Sequence, residues 1–235
     1  MSTRLLLISL IFLFCTRAHV AAQVGEHRND LAIGVNGGYL LNRVSFSPSI
    51  KQSWKGGETF GVTVRYTCEK YFSAFCAIQA EINYANTGWK ELIETSTDTY
   101  RRDMRYMQMP IFARLAWGKE HRGLQLFVQA GPQLGYYLSS TEHRGGEWSE
   151  RNLGLRPNLV VQQYDKEVET KFEYGIAGGL GVQMNTRIGQ FSLEGRYFFA
   201  LSDMFKNGKQ DPFGRSANGT IYIKAGYTIN VITTK

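Results

Sequence analysis

The side chains in this sequence that could perform acid–base chemistry are four cations and three carboxylates that recur inside otherwise apolar segments. All of them occupy the same side of a two-residue repeat, which places them together on one face of extended chain. On such a face the carboxylates could act as general acid and general base, or they could form buried ion pairs with the cations. The seven residues are Arg65, Glu81, Arg114, Glu173, Glu194, Arg196 and Lys224.

We favour ion pairs over catalysis for these residues. Four cations against three carboxylates nearly balance, and an unpaired buried charge is costly. The glutamates Glu173, Glu194 and Glu81 could be interpreted as acid–base partners. Ion pairing explains the same pattern with fewer assumptions. The sequence therefore predicts a structural charge network and no catalytic residue.

The four histidines do not change this interpretation. His19 lies in a segment that we expect to be removed, His27 precedes the first predicted strand, and His121 lies in a tight turn. His143 lies in the longest predicted loop, away from the lipid-facing strand surface where a lipid-modifying enzyme would need its base. Because no cluster has metal-ligand spacing and no glycine-rich loop opens a helix, we expect no metal and no cofactor.

Strict alternation of apolar and polar residues identifies the elements that carry the charged side chains. It is clearest in residues 172–184, where Glu173, Gln183 and several glycines alternate with large apolar side chains. A period of two predicts a β-strand, and eight such segments follow one another. We place them at residues 31–44, 58–68, 76–89, 103–118, 124–140, 171–185, 189–200 and 219–233.

The connections between these strands alternate in length. Tight turns at residues 68–76, 118–123 and 185–189 alternate with long polar loops at residues 45–57, 90–102, 141–170 and 201–218. Short turns on one side and long loops on the other are typical of an outer-membrane barrel. We therefore predict an all-β protein, a single eight-stranded antiparallel up-and-down transmembrane β-barrel with short periplasmic turns and long outer loops.

A soluble barrel of the lipocalin type is the competing architecture, with apolar residues inside and polar residues outside. Glycine would be a poor choice for its wet outer face. Aromatic side chains near the strand ends also favour a membrane, as do strands longer than the usual five or six residues. The alternating segments carry no charge in the middle of their apolar faces, as contact with lipid requires.

The amino-terminal residues indicate the compartment. Arg4 precedes a short apolar run, and small residues follow it, which is the pattern of a cleaved secretory signal. The run is too short for a membrane anchor, which needs about 20 apolar residues. We expect a signal peptide at residues 1–22, a periplasmic lead-in at 23–30 and the barrel domain at 31–235, located in the cell outer membrane.

Two cysteines remain outside the signal peptide, Cys68 and Cys76. They flank one tight turn on the apolar sides of adjacent strands, and an even pair in an oxidising compartment predicts a disulfide. Two unrelated thiols are the alternative. A bridge across so short a loop would contribute roughly 2–3 kcal/mol by the loop-entropy model.

Five short motifs lie at corresponding places in the predicted strands. They are Tyr-Met-Gln-Met-Pro at 106–110, Gln-Ala-Gly-Pro-Gln at 129–133, Glu-Tyr-Gly-Ile-Ala-Gly-Gly at 173–179, Leu-Glu-Gly-Arg-Tyr at 193–197 and Gly-Tyr at 226–227. With these motifs the mature chain resembles the PorT-like family of outer-membrane β-barrel proteins from Gram-negative bacteria. The resemblance implies the barrel, and it implies a secretion-accessory role because the name-giving member is implicated in type IX secretion.

The interior of an eight-stranded barrel is just wide enough for side chains to fill, so we predict no wide channel. The first functional hypothesis is a non-enzymatic envelope or secretion-accessory protein that acts through its outer loops, where His143, Trp148 and Tyr164 are the candidate contact residues. A porin-like channel for small solutes is the alternative, and a lipid-A-modifying enzyme or a lipocalin-like binder is less favoured.

The expected partners follow from the compartment and from the charge. We expect outer-membrane lipid and lipopolysaccharide around the barrel, protein partners from the envelope or secretion machinery, and a monomeric state. The formal charge of +7 is spread along the chain without a basic, aromatic-rich run, so no nucleic-acid partner is expected.

Overall fold

Eight long β-strands make up most of the computed structural model of the protein, which describes residues 25–156 and 159–234. The expected signal peptide at residues 1–22 lies outside the described residues. The long strands are β1 (Glu26–Ser47), β3 (Lys55–Tyr71), β4 (Ala74–Glu91), β5 (Thr99–Gly118), β6 (Gly123–Gly145), β7 (Phe172–Asn185), β8 (Gln190–Ala200) and β9 (Arg215–Ile232). A two-residue strand β2 (Gln52–Ser53) and a one-turn helix α1 (Glu150–Leu153) complete the secondary structure of the described chain.

Each long strand pairs antiparallel with the next long strand in the sequence. The last strand, β9, returns to pair with β1, and their register aligns Val35 with Tyr227. The sheet is therefore a closed ring, and the eight-stranded antiparallel up-and-down barrel expected from the sequence is confirmed. The short strand β2 pairs only with the end of β4. No helix in the described part of the chain is long and apolar enough to cross a membrane.

The two ends of the barrel differ. The three tight turns and the first and last described residues lie at one end, called the turn end here, and the four longer connections lie at the other, the loop end. Strand pairing continues further toward the loop end than the sequence predicted, as the pairs Lys90 with Arg101 and Thr99 with Gly145 show. These strand extensions occur because cross-strand pairing satisfies backbone groups beyond the membrane as well as within it.

The apolar side chains of the strands point outward and the polar side chains point inward. Leu180 in the middle of β7 is 67% exposed, whereas its inward neighbours Gly179 and Gly181 face the lumen. The seven charged residues singled out in the sequence are all buried inside the ring. This orientation is the reverse of a soluble barrel, so the lipocalin-type alternative is wrong.

Glycine on the inward face makes room for aromatic rings and for close strand contacts. A Cβ atom at Gly181 would lie 2.5 Å from Cζ of Phe127 and 2.4 Å from the carbonyl oxygen of Leu193. A Cβ atom at Gly175 would lie 2.7 Å from Cε2 of Phe198. The glycine-rich face of β7 therefore reflects the crowding of a narrow lumen.

The predicted disulfide between Cys68 and Cys76 is wrong, because both cysteines are free thiols in the structure. A register shift between Thr67 and Glu69 makes Cys68 the extra residue of a β-bulge, so that Cys76 pairs with Glu69 instead. The Sγ atom of Cys68 donates a hydrogen bond to the carbonyl oxygen of Cys76 at 3.2 Å. The bulge therefore directs this sulfur toward the backbone of the neighbouring strand.

The outward orientation of Leu180 can be tested by charge substitution. We expect Leu180→Arg to lower the free energy of unfolding by about 2–4 kcal/mol, because it places a cation against lipid near the middle of the barrel. Urea titration of the protein in lipid vesicles measures this change. Leu155→Arg, at an exposed loop position, is the matched control and is expected to change the free energy by less than about 0.5 kcal/mol. Equal losses in both variants would contradict the orientation.

Candidate functional site

The carboxylate of Glu81 lies in the middle of the lumen and accepts hydrogen bonds from four side chains. The two Nη atoms of Arg196 lie 2.8 and 3.1 Å from its oxygens, and Nζ of Lys224 lies 2.8 Å away. The amides of Gln79 and Asn83 each donate a hydrogen bond at 2.8 Å. Because β4 and β8 lie on opposite sides of the ring, the pair of Glu81 and Arg196 spans the lumen.

Glu194 balances the charge of this group. Its carboxylate accepts hydrogen bonds from Nη2 of Arg196 at 2.5 Å and from Nε2 of Gln129 at 2.8 Å. Glu81, Glu194, Arg196 and Lys224 are called the central layer below, and all four are buried. Two cations and two carboxylates neutralise one another there, and the carboxylate oxygens are taken up by protein donors. The central layer is therefore arranged for structure and has no carboxylate placed to exchange protons with a substrate.

Aromatic side chains fill the lumen beside the central layer. The ring of Phe112 lies 4.4 Å from Cζ of Arg196, a distance at which a cation is attracted to the ring face. Toward the loop end, Phe198 and Tyr222 are also buried, and the hydroxyl of Tyr222 donates a hydrogen bond to Gln108 at 2.9 Å. These rings and the central layer together close the barrel in its middle.

Arg65 and Arg114 lie nearer the turn end and do not form the ion pairs that the sequence predicted. Both donate to the amide oxygen of Gln183, at 2.7 and 2.6 Å respectively. Among the described residues, neither arginine has a carboxylate within 4.0 Å. Both line a cavity of about 480 Å³ at the turn end of the lumen.

Glu173 is also buried without an ion pair in the described structure. Its Oε1 accepts a hydrogen bond from Nδ2 of Asn218 at 2.6 Å. The expected partners are out of reach because Glu173 lies at the loop end of β7, whereas Gln183, which binds both Arg65 and Arg114, lies at its turn end. The predicted network of seven charges is therefore a balanced group of four, two arginines held by amides, and one isolated carboxylate.

A second apolar core closes the loop end of the barrel, which the sequence analysis did not predict. Strand extensions and loops both contribute to it, and stacked aromatic rings occupy its centre. This core, called the cap, consists of Val44, Phe46, Trp89, Tyr100, Met104, Tyr106, Val160, Val168, Met204, Phe205 and Phe213. The large apolar residues in segments taken for polar loops were the signal for it, but they follow no regular spacing.

Trp148 and Tyr164, two of the three candidate contact residues, pack against the cap rather than facing outward. Their ring centroids lie 4.9 Å apart at an angle of 89°. The indole nitrogen of Trp148 donates to the carbonyl oxygen of Gly145 at 3.1 Å, and the hydroxyl of Tyr164 donates to Glu91 at 2.7 Å. The long loop folds back over the barrel, so both rings are only partly exposed, and their role as external contact residues stays a prediction.

An ion pair fastens this loop to the connection between β4 and β5. Nη2 of Arg156 lies 2.7 Å from Oδ2 of Asp98, and the guanidinium lies over the rings of Trp148 and Tyr164. Burial of Asp98 opposes its ionisation, but the hydrogen bonds from Arg156 and its neighbours outweigh burial and place the pKa of this carboxyl below its ordinary value. The ionised pair therefore helps to hold the cap closed.

His143, the third candidate contact residue, lies on β6 and not in a loop, because strand pairing extends to Gly145. Its Nε2 lies 3.0 Å from Oδ2 of Asp103, which also forms ion pairs with Lys55 and Arg101. The imidazole is half exposed, and it forms no hydrogen bond with a hydroxyl group in the described structure. In the same part of the chain, no three His, Cys, Asp or Glu residues are grouped as metal ligands.

The structural role of the central layer predicts a large effect of Glu81→Gln. We expect this variant to lose about 3–5 kcal/mol of unfolding free energy, because it leaves Arg196 and Lys224 buried without sufficient negative charge. Urea unfolding in vesicles measures the loss. Glu94→Gln removes an exposed ion pair with Lys51 and serves as the control, with an expected change below about 1 kcal/mol. A change of similar small size in Glu81→Gln would show that the central layer does not support the fold.

Comparison with known structures finds similar chains at low sequence identity. Ail, the attachment invasion locus protein of Yersinia pestis, is 14% identical over 87% of this chain and 99% of its own, with a TM-score of 0.37. OprG from Pseudomonas aeruginosa is 13% identical over 87% of this chain and 98% of its own, with a TM-score of 0.44. The outer membrane enzyme PagL is 11% identical over 86% and 99%, with a TM-score of 0.40. Values this low support no conclusion about activity.

Sequence comparison identifies the family. No curated protein matches the chain. Residues 21–206, most of the chain, match the family described as outer membrane protein beta-barrel domain. That match agrees with the closed ring of strands and with the apolar outer surface. The chain therefore belongs to the outer membrane protein beta-barrel domain family, and its location is the outer membrane of a Gram-negative cell.

Proposed function

We propose that the protein is a non-enzymatic component of the outer membrane that presents the loops covering its cap to protein partners outside the cell, in a structural or secretion-accessory role of the PorT-like kind. The observation that carries this proposal is the closure of the lumen by the central layer and the cap. A closed lumen leaves the outer surface as the part of the molecule available for function. Surface loops held on a rigid barrel commonly provide such contacts.

The central layer leaves almost no free space at its own level in the lumen. A cavity of about 20 Å³ lies between Arg65, Glu81, Glu194 and Lys224, which is room for about one water molecule. A solute would have to break the ion pairs of Glu81 to pass. This closure favours a role outside the lumen over transport through it.

Leu155 and Leu159 are the residues of the outer surface that best fit a protein contact. They lie on the loop between β6 and β7 and are 51% and 67% exposed. The loop lies beyond the loop end of the barrel, so lipid does not cover them. We infer that these two leucines, the loop patch, replace His143, Trp148 and Tyr164 as contact candidates.

Outward-facing arginines near the loop end fit lipopolysaccharide as the lipid partner. Arg43 lies over the ring of Trp54 and Arg215 over the ring of Phe199, each at 5.3 Å, so aromatic rings hold both guanidinium groups at the surface. Guanidinium groups match phosphate geometry, and lipopolysaccharide carries phosphate at this level of the membrane. Lipid also covers the apolar surface of a single barrel, so we propose that the protein is a monomer.

The role of the loop patch can be tested in a deletion strain. The secretome, adhesion and envelope integrity would be compared after complementation with the wild type, with Leu155→Ser/Leu159→Ser, or with Ile188→Ser. We expect the deletion to impair at least one of these properties and the loop-patch variant to fail to restore it. Ile188 provides the matched control, because it is 72% exposed and lies at the turn end, which faces the periplasm in this proposal.

Two outcomes would contradict the proposal. One is a deletion strain that is unchanged in secretome, adhesion and envelope integrity. The other is full restoration by the loop-patch variant. A gel on which the folded barrel migrates differently before and after boiling shows that each variant has inserted, so that loss of function is not mistaken for loss of folding.

A small-solute channel is the second candidate function. Cavities of about 480 and 710 Å³ at the two ends of the barrel favour it, because each could admit a small solute from the water at that end. We expect planar bilayers containing the wild-type protein to show no stable conductance, since the central layer blocks the path. Reproducible conductance that changes in Arg114→Gln would replace the first proposal with this one.

A lipid-modifying enzyme is the third candidate, and the contact between His143 and Asp103 on the outward side of β6 favours it. The histidine has no hydroxyl partner that it could activate as a nucleophile in the described structure, which is the reason for ranking this candidate last. Mass spectrometry of lipid A from the same deletion strain separates the cases. An unchanged mass is expected, and an altered mass would establish an enzyme.

A further inference from the structure

We propose that the cavity at the periplasmic end of the lumen is a binding site for a small phosphate-bearing anion, held by Arg65 and Arg114. The cavity has a volume of about 480 Å³. It ends at the central layer, so it is a pocket and not part of an open path. This site is separate from the outer surface through which the protein is proposed to act.

The two guanidinium groups converge on one point. Nη1 of Arg65 and Nη2 of Arg114 donate to the same amide oxygen of Gln183, at 2.7 and 2.6 Å. The ring of Phe127 lies 3.4 Å from Cζ of Arg114 and restricts where this side chain can move. Their other hydrogen-bond partners are Gln79, Gln190 and Thr228.

These partners are amides and a hydroxyl, and none of them carries negative charge. Arg65 and Arg114 are only 6% and 3% exposed, and in the described structure no carboxylate lies within 4.0 Å of either. The nearest candidates, Glu81 and Glu194, are already neutralised by Arg196 and Lys224. Two buried like charges without a counterion are unfavourable, and an anion between them would remove that penalty.

The other charges around the cavity do not supply this counterion. Glu120 is paired with Arg28 at 2.8 Å and with Lys70 at 2.6 Å. Asp30 accepts a hydrogen bond from the backbone N–H of Thr234 at 2.6 Å and has no ion pair in the described chain. His121 also lines the cavity. The positive charge of the arginine pair therefore exceeds the one unpaired carboxylate of the lining.

Phosphate is the anion whose chemistry fits this arrangement. A guanidinium group donates two parallel hydrogen bonds to phosphate oxygens, and two such groups match a doubly charged phosphate monoester. The cavity is larger than inorganic phosphate, so it has room for an organic substituent. The phosphate could belong to a soluble periplasmic compound or to the head group of a lipid, and both present the same group to the arginines.

Calorimetry on the purified protein tests the proposal. The full chain in a detergent with an uncharged sugar head group would be titrated with inorganic phosphate, with glycerol phosphate and with chloride. We expect both phosphates to bind and chloride not to compete at equal concentration. Tighter binding of glycerol phosphate supports a head group as the ligand, and equal or tighter binding of inorganic phosphate supports a soluble compound. Binding of chloride as tightly as phosphate would overturn the site.

Arginine variants locate the binding. We expect Arg65→Gln and Arg114→Gln each to weaken phosphate binding about 10- to 100-fold, the effect of one lost charge-assisted contact. Arg187→Gln removes an exposed arginine from a turn at the same end of the barrel and is expected to bind like the wild type. Equal binding by all three variants and the wild type would contradict the proposal.

A second measurement covers the case in which a glutamine variant fails to fold. Arg114→Lys keeps the positive charge but has only a single ammonium group, so we expect it to fold and to bind phosphate more weakly than the wild type. Phosphate should also raise the melting temperature of the wild type and of Arg187→Gln. The absence of any phosphate-dependent shift in the wild type would overturn the proposal without reference to the variants.

Discussion

Closure of the strand ring is the constraint on which the rest of this structure depends. Inside a membrane an unpaired backbone group costs several kcal/mol, so the edge of β1 must be paired, and β9 pairs with it. Eight strands closed in this way enclose a lumen just wide enough for side chains. The small inward residues follow from this width, because rings such as Phe127 and Phe198 lie where side chains at Gly181 and Gly175 would be.

The same narrow lumen determines how charge is distributed along the barrel. In the middle, Glu81 and Glu194 balance Arg196 and Lys224, and the ion pairs of Glu81 cross the interior. Toward the turn end the charge is positive, because Arg65 and Arg114 have only amide and hydroxyl partners. The polar interior is therefore neutral in the middle of the barrel and positively charged nearer its turn end.

Much of the fold could be predicted from the sequence, because alternation reports directly which side of a strand faces lipid. All eight strands and the inward direction of residues such as Glu81 follow from that period. The disulfide could not be predicted correctly, since a β-bulge at Cys68 changes the register without changing composition. Strand ends at the loop end were also missed, because pairing continued past the last strongly apolar positions.

The candidate site was predicted in composition but not in pairing. The two-residue repeat places Arg65, Arg114 and Glu173 in the lumen. Which charges form ion pairs, however, depends on their height along the barrel and on strands that are far apart in the sequence. The cap was beyond sequence reasoning for a related reason. Residues such as Val160 and Phe213 come from separate connections, and their common core exists only after the strands have brought those connections together.

The position of the cap has a consequence for the order in which the protein assembles. The chain reaches the outer membrane from the periplasm, whereas the aromatic rings of the cap pack together on the far side. Segments that carry Tyr100, Tyr164 and Phe205 must therefore cross the bilayer before they can meet. The largest apolar core of the described chain is thus the last one to form, and the barrel has to be inserted without its help.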